Sequence, residues 1–112
     1  MKRAGHVAVC GLNLPVKLGT EEDFAGLKGA YGCFDPDTGT IWLDENIPPH
    51  VKPFWTVHEV LHAVLLHSGA LYVTASIFGC EREDPRLDRW EEAIVRILTP
   101  HLLETWGKVT VS

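Results

Sequence analysis

No stretch of this sequence stays apolar for the roughly 18 residues that a membrane-spanning helix requires. Basic residues are in deficit, ten Lys and Arg against fifteen Asp and Glu, for a formal net charge of −5. That balance leaves no basic stripe for nucleic acid, so neither nucleic acid nor membrane is expected as a partner. Cysteine is scarce: Cys10, Cys33 and Cys80 are scattered, odd in number and form no Cys-x-x-Cys pair. Such a set predicts reduced thiols in a cytoplasmic protein, each acting as a small buried hydrophobe, and no disulfide framework. Met1-Lys2-Arg3 resembles the basic start of a secretory signal, but Gly11, Asn13 and Pro15 interrupt the apolar segment that should follow. No repeat, low-complexity tract or linker divides the chain. The expectation is one domain over residues 1–112, with one modest core.

Against these absences stands one dense stretch, Val57-His58-Glu59-Val60-Leu61-His62-Ala63. Residues four apart share a face of an α-helix, so His58 and His62 can aim two imidazoles at one metal ion. Glu59 lies about 100° round the helix from His58, near enough to act on a metal-activated water without being a ligand. Val57, Val60, Leu61, Ala63, Val64, Leu65 and Leu66 leave almost no polar face, which predicts a buried helix. Two buried imidazoles need partners, and a metal supplies them.

Taken in order, His6–Cys10 reads as a strand, and Asn13–Val16 extends or ends it. Thr20 reads as the N-cap of a short helix through about Leu27, stopped by Gly29. Ala30–Phe34 and Thr40–Asp44 flank the turn formers Asp35-Pro36-Asp37-Thr38-Gly39, the pattern of a β-hairpin. The motif helix is expected to begin between Pro49 and Phe54 and to end at Ser68-Gly69; Thr56 and Glu59 also fit a capping box with a later start. His67 at its exit reads as a partner of the helix dipole. Leu71–Phe78 is readable either as a strand or as a loop crossing the site. A last helix runs from about Pro85 to Leu98, where Thr99-Pro100 is expected to break it and restart a short helix. The tail from Gly107 reads as frayed or a short extension.

A catalytic zinc takes three protein ligands and an open position. No His-x-x-Gly-x-x-His continuation follows His62, so a glutamate on a following helix remains. Leu87, Ile94 and Leu98 define the apolar direction of the last helix. Glu91 falls within about 60° of that direction and Glu92 roughly 140° or more away, where solvent is expected. Helical angle therefore selects Glu91, 29 residues after His62, as the third ligand beside His58 and His62.

With these residues in place, the chain resembles a compact gluzincin related to the ImmA/IrrE-like metallopeptidases. It resembles still more closely the small metallopeptidase-like proteins often encoded in phages and prophages. The resemblance rests on Tyr31-Gly32 with Gly39–Leu43, on Thr56–Ala63, and on Glu91–Pro100. It implies an α+β, zincin-like fold: a small twisted antiparallel sheet packed on an active-site helix and a C-terminal helix, with the Ile41–Asp44 strand near the cleft. It also implies zinc at His58, His62 and a downstream glutamate, with Glu59 as general base, in a host cytoplasm. The chain departs from the family where Arg96-Ile97-Leu98-Thr99-Pro100 replaces a Leu-Leu-Met-Pro ending, and no repressor-recognising region is expected within these residues.

The activity so implied is zinc-assisted hydrolysis of a peptide or protein substrate. Tyr72, His67 and His101 are candidate helpers for the oxyanion, and a peptide could pair with an exposed edge of the Ile41–Asp44 strand. The rival expectation is a zinc-binding interaction module that cuts nothing.

Overall fold

A computed structural model of the chain describes residues 2–106; the tail from Gly107 lies outside the described residues. Strands β1 (Lys2–Val9) and β2 (Leu12–Gly19) form an antiparallel hairpin paired from Lys2 with Leu18 to Val9 with Leu12. Only Cys10 and Gly11 make the turn, both at positive φ, 50° and 80°. That geometry matches the right-handed twist of a tight hairpin. The first strand is thus longer than expected and is answered at once by a second.

β3 (Gly32–Asp35) and β4 (Thr40–Asp44) form the other hairpin, as the turn chemistry requires. Asp35 accepts hydrogen bonds from the Asp37 amide (3.0 Å) and the Thr38 hydroxyl (2.8 Å), so its carboxylate serves the turn.

The two hairpins join through a parallel pairing of β2 with β4, giving the strand order β1-β2-β4-β3. The fold class is α+β as expected, but the sheet is mixed, which corrects the expectation of a purely antiparallel one. It also moves Ile41–Asp44 from the edge to the interior. Thr40 to Leu43 are all buried, the continuous pattern of a strand covered on both faces. The outer strands are β1 and β3.

Between β2 and β3, Thr20 nucleates a turn whose carbonyl accepts from Asp23 and Phe24 amides, both at 3.0 Å. Only a 3₁₀ turn, Ala25–Leu27, follows in place of the expected α-helix. Phe24 stacks on Trp42 with ring centroids 5.5 Å apart, and this contact fixes the segment against the sheet.

Helix α1 (Lys52–His67) begins inside the expected window, and the Thr56 hydroxyl donates to the Lys52 carbonyl (2.8 Å) from within the helix instead of capping it. Gly69, at φ 81°, ends it, and α2 (Ala70–Phe78) leaves at 66°. An α-helix here corrects the strand-or-loop reading of Leu71–Phe78. Its inward side is only Leu71 and Ala75, too few to mark a helical period in an otherwise apolar run.

Helix α3 (Pro85–Trp106) continues through Pro100, which corrects the expected break. Proline removes the hydrogen bond to the Arg96 carbonyl, yet Thr99, fully buried, donates its hydroxyl to the Val95 carbonyl (2.6 Å) and holds the turn. Asp84 caps the start by accepting from the Arg86 amide at 2.8 Å.

Val9, Leu14 and Ala63 form one buried cluster, and Val16, Ile41 and Leu43 the other; Val60 of α1 and Phe34 of β3 pack against both. The core therefore lies between the sheet and one side of α1, and α3 covers another side. Among the described residues, no single helix is long and apolar enough to cross a membrane.

Candidate metal centre

Only three residues of α1 are buried, and two are His58 and Glu59, at 5% and 4% exposure. The valines and leucines around them are half-covered. Stability alone favours the opposite distribution, because an unpaired buried polar group is costly and a half-exposed valine is not.

The reason is where α1 faces. His58, Glu59 and His62 turn toward a cleft of about 580 Å³ whose other walls are the 29–36 segment, including β3, and α3. The donor atoms of these three side chains lie within 4.8 Å of one another. The imidazoles of His58 and His62 are 5.1 Å apart between centroids, and Trp55 and Phe54 flank His58 at 5.1 and 6.0 Å.

α3 brings two glutamates to this cluster, and they do different things. Glu92 sets one carboxylate oxygen 3.2 Å from His58 Nε2 and the other 3.1 Å from His62 Nε2. Glu91 instead sits against His62 Nδ1, on the opposite side of the same ring. Ligand atoms on a tetrahedral zinc, each about 2.0–2.1 Å from the metal, stand about 3.3 Å apart. Each imidazole Nε2 stands at about that spacing from one Glu92 oxygen. A carboxylate against Nδ1, as Glu91 is, fixes the tautomer and orientation of the ring. Helical angle ranked Glu91 as the buried residue, and it is less exposed than Glu92, 16% against 40%. The angle omits how far a half-exposed carboxylate reaches across to a neighbouring helix.

The electrostatics are those of a crowded acidic site. Burial pushes the Glu59 carboxyl up to about 7; His62 opposes this, and Glu92 and Glu91 add to it. Burial draws His58 below the usual imidazole range, against the pull of Glu92. Burial acts the same way on His62, but its hydrogen bond to Glu91 and the charges of Glu59, Glu91 and Glu92 prevail and raise it. Burial pushes Glu92 up, but Arg96, 3.0 Å away, and the two histidines outweigh it and hold the carboxyl below its usual range. Three carboxylates and two imidazoles held this close have an excess of acceptors, which a divalent cation bound among them would offset. His58 Nδ1, on the far side of the ring from Glu92, is buried without a hydrogen-bond partner.

Glu59 is itself held by glycine. A Cβ on Gly32 of β3 would stand 3.0 Å from Glu59 Cγ and 3.4 Å from its Oε2. The absence of a side chain at this position is what lets the carboxylate sit against the strand.

The helpers read from the sequence do not gather here. Tyr72 is exposed on α2, His101 is exposed on α3, and His67 packs edge-on to Phe34 at 6.0 Å, with its Nε2 buried and unpartnered. None of them lines the cleft, whereas Arg82 and Arg96 do. Arg82, on the α2–α3 connection, lies 3.9 Å from Glu91 and 3.7 Å from Asp88. Nothing in the run Glu81-Arg82-Glu83-Asp84 distinguishes it in sequence, because a charged connection reads as solvated surface.

The cysteines are free. Cys10 is exposed in its hairpin turn and Cys80 is half-covered, which corrects the expectation of three buried hydrophobes. Cys33 lines the cleft, and burial, together with Glu59 and Asp35, pushes its thiol up, away from the reactive thiolate. Comparison with protein-family models, with curated proteins and with solved structures finds no match for this chain.

Proposed function

We propose that this protein is a zinc-dependent metallopeptidase whose metal is held by His58, His62 and Glu92. Glu91 orients His62, and Glu59 is the general base. The observation that carries the reading is the convergence of both imidazole Nε2 atoms on one Glu92 carboxylate, beside a buried Glu59 in an open cleft. A purely structural zinc site has no need of a further buried carboxylate, Glu59, beyond Glu92 and Glu91.

Zinc bound there supplies a Lewis acid and a water acidic enough to ionise near neutrality. The chain supplies the rest. Glu59, buried beside both imidazoles at the cleft, is placed to take a proton from water and return it to a leaving amine. Gly32 leaves the room in which the Glu59 carboxylate lies against β3. Arg82 is the cleft's candidate for steadying negative charge on a substrate oxygen. β3, an outer strand, offers its unpaired edge to an extended peptide, which would add to the sheet through backbone hydrogen bonds. This role passes to β3 from the Ile41–Asp44 strand, whose two edges are both paired.

The test is incubation of the zinc-loaded protein and Glu59→Gln with a mixed peptide library. Cleavage by the native protein alone is expected. Cleavage by both, or by neither, overturns the peptidase; tight zinc binding without cleavage would leave the interaction module in its place.

A further inference from the structure

A second cavity of about 400 Å³ adjoins the cleft, sharing Gly29, Ala30 and Trp55 with it; Leu27, Tyr31 and Asp44 complete its lining. Trp55 stands one turn before Glu59 on α1, and its ring is 5.1 Å from that of His58 and 6.1 Å from that of Tyr31, edge-on to the latter. The two aromatic rings therefore lead directly from the candidate metal centre into this cavity. Tyr31 is 42% exposed, a large apolar ring left uncovered at the mouth.

Asp44 ends the path. Its Oδ1 accepts from the Asn46 amide at 2.9 Å, while no Lys, Arg or His among the described residues lies within ion-pair distance of the carboxylate. An aromatic-walled cavity with an unpaired carboxylate suits a long aliphatic stem carrying a cation, which the rings attract through their faces and the carboxylate through its charge. The net charge of −5 favours approach of the same ligand.

We propose that this cavity is a specificity subsite for a basic side chain, arginine or lysine, of an extended peptide lying in the cleft. The inference rests on the peptidase reading for its biological use, but the cavity's chemistry is testable without it. The protein without added metal is titrated with Nα-acetyl-arginine methylamide and with the citrulline counterpart, which has nearly the same shape and no charge. Amide and indole NMR shifts report binding.

The arginine ligand is expected to bind about tenfold more tightly, with shifts concentrated at Tyr31, Asp44 and Trp55. Asp44→Asn keeps an Oδ1 acceptor for the Asn46 amide, so its spectrum should otherwise be preserved, and the arginine preference should shrink to the smaller part that the rings supply. Equal binding by the native protein, no binding of either ligand, or an arginine preference undiminished in Asp44→Asn overturns the subsite. Zinc-dependent cleavage is measured separately on paired arginine and citrulline peptides. Discrimination in binding without any cleavage removes the peptidase and keeps the subsite; cleavage of both peptides at equal rates removes the subsite and keeps the peptidase.

Discussion

The two helices that meet at Ser68-Gly69 distribute polar and apolar residues in opposite ways. α1 hides His58 and Glu59 and leaves most of its aliphatic side chains half-covered; α2 contains no charged residue and turns Tyr72, Val73, Ile77 and Phe78 outward, Ile77 being 75% exposed. The departures are not equal in weight. An exposed isoleucine forgoes a burial gain of about 1.5–3 kcal/mol, and folded surfaces carry much apolar area in any case. A buried carboxylate pushed to about 7 opposes folding directly, so its retention in α1 points to chemistry. Burial of polar groups, more than exposure of apolar ones, locates the site.

The largest test of that contrast is Glu59→Gln. Peptide hydrolysis should fall about 10²–10⁴-fold with zinc content unchanged. In the metal-free protein the same change should stabilise the fold, and the sign follows from linkage. The folded carboxyl, at about 7 instead of the ordinary 4.5, keeps its proton where the unfolded one has lost it. Stability of the native protein therefore declines as pH rises from the unfolded value to the folded one, and is lowest above it. Glutamine has no such decline. Urea unfolding near pH 5 and near pH 8 should show the advantage of Glu59→Gln growing toward the higher pH; equal stability at both would mean that the cleft does not penalise the charge.

The next test separates the two glutamates of α3. Glu92→Gln should remove most zinc affinity, as should His62→Ala, whereas Glu91→Gln should weaken it about 10–100-fold through loss of the group that orients His62. Equilibrium dialysis against a zinc chelator reads both. The reverse ranking would return the ligand role to Glu91.

These assignments also mark what the sequence makes legible. His58, Glu59 and His62 are readable because their spacing is local: one helix fixes all three. The β3–β4 hairpin is readable because Asp35 to Gly39 contains its own turn chemistry. The choice between Glu91 and Glu92 is not local, since it depends on how α3 crosses α1 and on the reach of a flexible side chain. The parallel pairing of β2 with β4 is equally non-local; no residue within either strand encodes it, and it decides that β3, not β4, forms an outer edge. α2 escapes detection for another reason: its outward face is as apolar as its inward one, so the period that identifies a helix is absent. Arg82 and the Tyr31–Trp55–Asp44 cavity arise only once three separate segments meet.

A third test concerns the strand that backs the site. Gly32→Ala places a methyl 3.0 Å from Glu59 Cγ, and the flexible carboxylate side chain must move. Because a small misplacement of a reacting group suffices to slow catalysis, cleavage should fall about ten- to a hundredfold while zinc affinity stays within a factor of two or so. An unchanged rate would show that Glu59 does not need the position it holds against β3.

The smallest effects are expected on α2, and they bear on the contrast most directly. Leu71 is fully buried and also lines the cleft, so Leu71→Ala should cost about 2–5 kcal/mol in urea unfolding through lost contacts and an unfilled cavity. Ile77→Ser, on the other side of the same helix, should change stability by no more than about 0.5 kcal/mol, since the side chain it removes is already largely in water. The pair shares one helix and one experiment, so differences in helix propensity between the two sites are too small to reverse the order. If Ile77→Ser were as damaging as Leu71→Ala, the outer face of α2 would have to be covered in solution. Repeating the unfolding over a hundredfold range of protein concentration would then show a midpoint that rises with concentration. A midpoint independent of concentration, with Leu71→Ala alone destabilising, leaves α2 as a one-sided support for the cleft and α1 as the helix that buries polar groups there.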